Sequence, residues 1–213
     1  MDIKINRAKL APLMAEFLGT SVLVMVALVL SLTTGVPYFI ATSVAVTLGL
    51  VYVMFGSVSG GHFNPAITVG MWTARRITSI RGVAYIAAQM LGGVASWQLF
   101  QYFTNQTLPV KTTAWSTPMF LAELVGTAIL AMGLTAALMR KLDTLTTALT
   151  YGASFFAGIL VAATASAAYL NPASALALRN FSWLYVLGPL AGGIVGVNLY
   201  MWFFAPEKSS SKK

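Results

Sequence analysis

The chain has 213 residues, of which 58% are hydrophobic and only 8% are charged. A soluble domain carries about a quarter charged residues, so this composition excludes a soluble enzyme or a disordered chain and indicates an integral membrane protein. The 13 Lys and Arg against 5 Asp and Glu give a net charge of +8, and because the basic residues lie in short clusters between apolar runs, we interpret them as a topology signal and not as a nucleic-acid surface.

Six apolar runs are long enough to cross a bilayer, whose hydrocarbon core of about 30 Å needs roughly 20 residues of helix. The first run follows Lys4, Arg7 and Lys9 and has the charge pattern of a signal peptide. It is too long for a signal-peptide h-region, contains Glu16 and has no small-residue cleavage pattern, so we predict a retained span. The predicted spans are residues 11–32, 38–58, 83–103, 119–139, 147–166 and 183–204.

The basic residues also predict the orientation of the chain. Of the 13 Lys and Arg, 11 lie before the first span, after the second, after the fourth or at the end, and only Lys111 and Arg179 lie on the other face. The positive-inside rule then places both termini in the cytoplasm, and we expect the plasma membrane as the location. We predict one domain over residues 1–206 and a disordered cytoplasmic tail over 207–213.

Two halves of the sequence resemble each other. Residues 15–20 (AEFLGT) recur as 122–127 (AELVGT), and residues 64–66 (NPA) recur as 171–173, both 107 residues later. Residues 89–93 (QMLGG) are echoed by 189–193 (PLAGG), 100 residues later. The repeats cover about 10–105 and about 117–204. Because each half holds three spans, an odd number, the halves enter the membrane from opposite faces, and ligand paths in such inverted repeats lie near the midplane.

Each Asn-Pro-Ala triplet begins a short apolar stretch, at 64–73 and 171–177, that is too short to cross the membrane. Asparagine is a good helix N-cap, and proline is favoured at the first helical position. We therefore predict two re-entrant half-helices, one from each face, whose N-termini meet near the centre of the bilayer. The irregular segments before them, 59–63 and 167–170, must line a wet cavity or be buried in protein.

These motifs resemble the aquaporin, or major intrinsic protein, family over about residues 10–204. One Asn-Pro-Ala triplet is a weak signal, but two in register with a repeated glutamate-containing first span are specific. The resemblance implies an all-α bundle of six tilted transmembrane helices and two half-helices, with one pore in each protomer. It also implies a homotetramer in the lipid bilayer. From the residues themselves we expect no cofactor, no metal and no catalytic residue. The motif residues are Asn64, Pro65, Ala66, Asn171, Pro172 and Ala173.

Both half-helices contribute to the chemistry expected of the pore. Their N-termini present partial positive charge that opposes cations, and the amides of Asn64 and Asn171 can each offer an N–H to a passing water molecule. Backbone carbonyls of the two irregular segments are expected to act as hydrogen-bond acceptors along the path. The predicted carbonyls belong to Gly60, Gly61 and His62 on one side and to Ala168, Tyr169 and Leu170 on the other.

Glu16 and Glu123 are ionisable residues inside predicted spans, which makes them candidates for function. The resemblance implies that they accept hydrogen bonds from the re-entrant loops, and a proton-carrying role is the alternative. His62 is the single histidine, and we interpret it as a brace of the loop, with a pH gate as the alternative.

One position departs from the pattern of water-selective relatives, which carry arginine directly after the second Asn-Pro-Ala. Ser174 stands there, and matching the other constriction positions by spacing gives Val44, Ile159 and Ala168. This set has no aromatic ring and no charge, so we predict a channel that passes water and small neutral solutes such as glycerol, urea, ammonia or hydrogen peroxide.

The alternative is a strictly water-selective channel, in which a nearby aromatic side chain fills the gap; the candidates are Tyr38, Phe39, Tyr169 and Trp183. Arg179 lies five residues after Ser174, about 140° further round a helix, so we expect it to point elsewhere, into the vestibule.

Other classes of protein fit the sequence less well. A secondary transporter also uses inverted repeats, but it usually needs a charged or ion-coordinating site at the midplane. A non-conducting structural membrane protein is opposed only by the two retained pore asparagines. An enzyme would need a convergent acid–base pair or a metal-ligand cluster, and the chain offers one His, no Cys and five acids.

Overall fold

The computed structural model describes residues 7–204, and this part of the chain forms eight helices. Six of them, all except α3 and α7, have 19 to 27 residues and are apolar enough to cross a membrane. The predicted all-α fold with six spans is confirmed. The predicted tail at 207–213 and the domain end at 206 lie outside the described residues. In chain order the helices are α1 (Arg7–Thr33), α2 (Pro37–Ser59), α3 (Pro65–Thr73), α4 (Ser79–Thr104), α5 (Thr117–Met139), α6 (Thr144–Ala162), α7 (Pro172–Ala177) and α8 (Trp183–Phe203).

One difference from the predicted spans is at the end of α6. This helix stops at Ala162, whereas the sequence predicted a span that continued to residue 166. The chain turns there, and the Ser166 N–H donates to the Ala162 carbonyl at 2.9 Å. The Ser166 hydroxyl also donates to the buried Glu123 carboxylate at 2.8 Å. Ser166 can therefore lie in an apolar run and still belong to a loop, because its hydroxyl is hydrogen-bonded inside the protein.

Both halves have the same order of elements, namely two long helices, one short helix and a third long helix. The short helices cross over between the halves, since α3 packs mainly on α8 and α7 packs on α4. Glycines make this close approach possible. A Cβ on Gly93 of α4 would lie 2.7 Å from the Ala173 carbonyl, and a Cβ on Gly193 of α8 would collide with the Ala66 carbonyl.

The long helices bury one face and expose large apolar side chains on the other. On α2, Val44, Leu48 and Tyr52 are buried, whereas Val46 and Leu50 are more than half exposed. An outward surface of this kind suits lipid, because an exposed apolar face of this extent is unfavourable in water.

Within residues 7–204 the clustered basic residues lie at one end of the bundle, which we call the basic end. Arg76, in the turn after α3, contacts the sulfur atoms of Met139 at 3.0 Å and of Met201 at 3.5 Å, which lie at the C-terminal ends of α5 and α8. At the other end the Lys111 N–H donates to the Arg179 carbonyl at 2.7 Å. The two outlying basic residues therefore lie together, away from the basic end.

Candidate functional site

Two asparagines cap the short helices α3 and α7 in the same way. Asn64 has an extended backbone (φ −158°) and its Oδ1 accepts the Ala66 N–H at 2.8 Å. Asn171 has φ −153° and its Oδ1 accepts the Ala173 N–H at 2.9 Å. In both helices proline follows the cap, where a missing N–H costs no helical hydrogen bond.

The same two side chains fasten the half-helices to each other. Asn64 Nδ2 donates to the Leu170 carbonyl at 2.8 Å, and Asn171 Nδ2 donates to the Phe63 carbonyl at 3.2 Å. Because each Oδ1 faces an N–H and each Nδ2 faces a carbonyl, a flipped amide would put like groups together. Each amide also has a second N–H, which these bonds leave free for another acceptor.

The residue before each asparagine has a left-handed backbone. Phe63 has φ 50° and its counterpart in the second half, Leu170, has φ 51°. A non-glycine residue in this region costs about 1–3 kcal/mol, so the surrounding structure must hold it. Glutamates provide that support, since the Phe63 N–H donates to Glu16 Oε2 at 2.6 Å and the Leu170 N–H donates to Glu123 Oε2 at 2.8 Å.

Both glutamates are fully buried and accept several hydrogen bonds from the loop that precedes the asparagine. Glu16 Oε1 accepts the Ser59 hydroxyl at 2.6 Å and the His62 N–H at 3.0 Å. Glu123 Oε1 accepts the corresponding groups, the Ser166 hydroxyl at 2.8 Å and the Tyr169 N–H at 3.0 Å. A carboxylate that accepts loop N–H groups in this way acts as a brace of the backbone.

The first half has an additional polar network. Gln89 Nε2 donates to Glu16 Oε2 at 2.7 Å and to the Thr68 hydroxyl at 2.8 Å. His62 Nδ1 lies 3.0 Å from the same hydroxyl, and the imidazole is buried. In the second half Pro189 stands in the place of Gln89, so Glu123 lacks that donor.

A cavity of about 190 Å³ lies at the end of the bundle opposite the basic end, and we call it the Ser174 cavity. Its volume exceeds the roughly 30 Å³ that one water molecule occupies in the liquid. All four residues predicted for the constriction, Val44, Ile159, Ala168 and Ser174, line it. The sequence prediction thus brings together residues from α2, α6, the second loop and α7. The other lining residues are Ala27, Ser31, Pro37, Ile40, Phe155, Ala163, Ser166, Ala167, Tyr169 and Leu178.

Two aromatic side chains contribute to the wall of this cavity. Tyr169 was one of four candidates for filling the gap, and its ring contacts the Tyr185 ring with centroids 4.4 Å apart. The other three candidates, Tyr38, Phe39 and Trp183, are exposed on the outside of the bundle and do not line the cavity.

Sequence reasoning missed the second aromatic, Phe155. Phe155 lies four residues before Ile159 on α6, so it lies on the same face of the helix. The four-residue spacing from Ile159 was the sequence signal from which Phe155 could have been found.

Arg179 does not line the Ser174 cavity. Its guanidinium carbon lies 4.1 Å from the centroid of the Trp97 ring on α4, an arrangement in which the cation is attracted to the aromatic face. The residue has φ 59° and follows the end of α7. Arg179 therefore does not replace the arginine that water-selective relatives carry at the position of Ser174.

Two of the six predicted pore carbonyls have side-chain partners among the described residues. The His62 carbonyl accepts the Tyr151 hydroxyl at 2.9 Å, and the Leu170 carbonyl accepts Asn64 Nδ2. A carbonyl oxygen has two lone pairs, so one remains on each. The loops that carry Gly60, Gly61, Ala168 and Tyr169 have left-handed backbone at Gly60, Gly61 and Ala168, with φ of 97°, 69° and 52°.

The fold and site define a helical membrane protein with two asparagine-capped half-helices that meet head to head. A sequence profile of the family described as Major intrinsic protein matches residues 5–200. The chain belongs to the major intrinsic protein family.

Similar proteins include aquaporin-4 of Bos taurus, which is 34% identical over 168 residues, or 72% of this chain and 52% of that protein. Aquaporin Z of Photorhabdus laumondii is 28% identical over 233 residues, covering 93% of this chain and all of that protein. The match therefore spans about half the length of the bovine relative. The aquaglyceroporin from Plasmodium falciparum has a similar fold, with a TM-score of 0.76 and 20% identity over 90% of this chain and 95% of that one.

Proposed function

We propose that this protein is a passive transmembrane channel for water and small neutral solutes. The observation that carries the proposal is the Ser174 cavity, whose wall combines Val44, Ile159, Ala168 and Ser174. None of its lining residues carries a charged side chain, and the cavity lies against the first turn of the asparagine-capped helix α7. A weakly polar opening without a charged side chain favours neutral solutes, such as urea and glycerol, beside water.

Ion exclusion follows from the ends of the two half-helices. Backbone N–H groups at the start of α3 and α7 point towards the midplane and carry partial positive charge, which opposes cations. Asn64 and Asn171 each retain one free N–H for a water oxygen, so a water molecule there turns its hydrogens outwards and the proton relay is interrupted. We expect weaker ion exclusion than in a channel with an additional arginine at position 174.

A strictly water-selective channel is the second candidate. The observation that favours it is Tyr169, whose ring forms part of the cavity wall. If this ring narrows the opening as much as an arginine would, urea and glycerol would be excluded while water still passes.

The assembly and topology belong to the same proposal. We propose a homotetramer in the plasma membrane, with the basic end and both termini in the cytoplasm. Arg75, Arg76, Arg140 and Lys141 at that end follow the distribution that the positive-inside rule describes.

The test is stopped-flow light scattering on proteoliposomes with water, urea and glycerol gradients. We expect water and urea permeability clearly above those of protein-free vesicles. Fast water flow with urea and glycerol excluded would instead support the strictly water-selective channel. Saturable uptake driven by an ion gradient would contradict both and indicate a transporter.

A further inference from the structure

Two helix faces continue from the Ser174 cavity towards the basic end. Residues four apart lie on one face of a helix. Eight residues of helix span about 12 Å, so each face reaches about 12 Å beyond Val44 on α2 or Ile159 on α6. Both faces end in a tyrosine there. The α2 face consists of Ile40, Val44, Leu48 and Tyr52, and the α6 face of Ala163, Ile159, Phe155 and Tyr151.

The inverted repeat relates these tyrosines to the predicted constriction. The counterparts of Val44 and Ile159, displaced by 107 residues, are Tyr151 and Tyr52. In the same way the counterparts of Ala168 and Ser174 are Gly61 and Ile67. All four counterparts are buried. A second set of residues at the equivalent repeat positions therefore lies towards the basic end, with two aromatic rings in place of two aliphatic side chains.

The ring of Tyr52 spans from α6 to the first re-entrant loop. Its centroid lies 6.0 Å from that of Tyr151, with the planes at 81°, so the two rings meet edge to face. On its other side the ring rests on Gly61, where a Cβ would lie 2.5 Å from Tyr52 Cδ2. In the second half the sizes are reversed. Ile159 is smaller than its counterpart Tyr52, and Ala168 is larger than its counterpart Gly61.

The two hydroxyl groups differ in their partners. Tyr151 donates to the His62 carbonyl at 2.9 Å and so occupies one acceptor of the loop. Within residues 7–204 the Tyr52 hydroxyl has no hydrogen-bond partner and is not fully enclosed, although only 6% of the residue is exposed. Since Tyr52 lies on the inward face of α2, we place this hydroxyl against the lumen.

We propose that Tyr52 and Tyr151, here called the tyrosine pair, set the upper size limit for solutes in this channel. The Ser174 cavity then admits solutes at one end, and the tyrosine pair sieves them near the other. The specificity-determining residues are aromatic, as rigid flat side chains narrow a path without adding charge. This inference rests on the channel function proposed above.

The experiment replaces the tyrosine pair by the side chains of its counterparts, in the double variant Tyr52→Ile/Tyr151→Val. Glycerol permeability in proteoliposomes should rise about tenfold, which corresponds to a barrier lower by about 1.4 kcal/mol. Water permeability should change much less. Tyr52→Phe and Tyr151→Phe keep the rings, so each should raise glycerol permeability far less than the double variant. Tyr102→Val is the matched control, because Tyr102 is 82% exposed on the outside of the bundle.

A variant of the Ser174 cavity separates the two ends of the path. Ile159→Ala should raise glycerol permeability far less than the double variant does if the tyrosine pair limits it. A rise in Ile159→Ala together with an unchanged double variant would overturn the proposal while leaving the channel function intact. Wild-type vesicles that conduct no more water than protein-free vesicles would overturn both.

The sequence contains no cysteine, which allows a test with single substitutions. A methanethiosulfonate reagent should reduce water permeability in Tyr52→Cys and leave Tyr102→Cys unaffected. Labelling of Tyr52→Cys, shown by mass spectrometry, without a change in water permeability would contradict a position of Tyr52 in the path. This arm is independent of the stability of the double variant.

Discussion

The Asn64 side chain donates a 2.8 Å hydrogen bond to the backbone carbonyl of Leu170, which lies 106 residues further along the chain. Asn171 makes the equivalent bond to Phe63 in the opposite direction. The two halves are therefore joined at the point where their short helices meet. The residues proposed to contact water also hold the channel together.

The first prediction concerns this link. Asn64→Asp keeps the cap on Ala66 but cannot donate to the Leu170 carbonyl, and it places an oxygen against an oxygen. We expect the free energy of unfolding to fall by about 1–3 kcal/mol, since the buried Leu170 carbonyl loses its donor. Thermal unfolding in detergent measures this. Asn105→Asp, at the exposed C-terminal cap of α4, is the control and should lose clearly less, since a negative charge at a helix C-terminus costs about 0.3–1 kcal/mol.

The second prediction concerns the two buried glutamates. Glu16→Gln and Glu123→Gln remove the charge and turn an NH₂ group towards backbone donors, so each should destabilise the protein by about 1.5–3 kcal/mol for every charged hydrogen bond lost. We expect the larger effect at Glu16, because Gln89 adds a donor that Glu123 lacks. Unfolding temperatures of both variants check this order, and equal or reversed effects would contradict it.

The third prediction concerns the glycines under the half-helices. Gly93→Ala and Gly193→Ala place a methyl group against the backbone of Ala173 and Ala66, respectively. Overpacking of this kind costs about 1–3 kcal/mol, and water permeability should fall with it. Gly35→Ala is the control, because a Cβ there meets nothing within 4 Å. If Gly93→Ala and Gly193→Ala were as stable as wild type, the helices could move apart there without a loss of stability, which would contradict this prediction.

The fourth prediction concerns position 174. Ser174→Arg introduces a long cation into the Ser174 cavity, so urea permeability should fall by about tenfold or more, equivalent to at least about 1.4 kcal/mol of added barrier. Ser174→Ala removes only the hydroxyl and should conduct urea like wild type. Urea flux that is the same in Ser174→Arg and wild type would show that this cavity is not part of the solute path.

Local sequence signals predicted most of the fold and much of the site. Proline after asparagine located the starts of α3 and α7, and spacing from the motifs brought Val44, Ile159 and Ala168 to one cavity. The starts of α3 and α7 depend on capping, which is encoded within a few residues. The other three residues were found by matching the constriction positions of the family that the sequence resembles.

Features that depend on contact between the halves could not be predicted in the same way. The donation from Asn64 to Leu170 requires the relative position of two segments 106 residues apart. To predict the tyrosine pair from the sequence, one would need the repeat offset and also the knowledge that both rings face inwards. The end of α6 was misplaced because Ser166 lies in an apolar run yet bonds to Glu123.

Osmotic water permeability of the wild-type protein in proteoliposomes tests the central claim most directly. If the asparagine-capped half-helices enclose a continuous path, vesicles that contain the protein will shrink much faster than protein-free vesicles in a stopped-flow osmotic challenge. Shrinkage at the protein-free rate, with correctly folded protein shown to be present in the vesicles, would contradict the account.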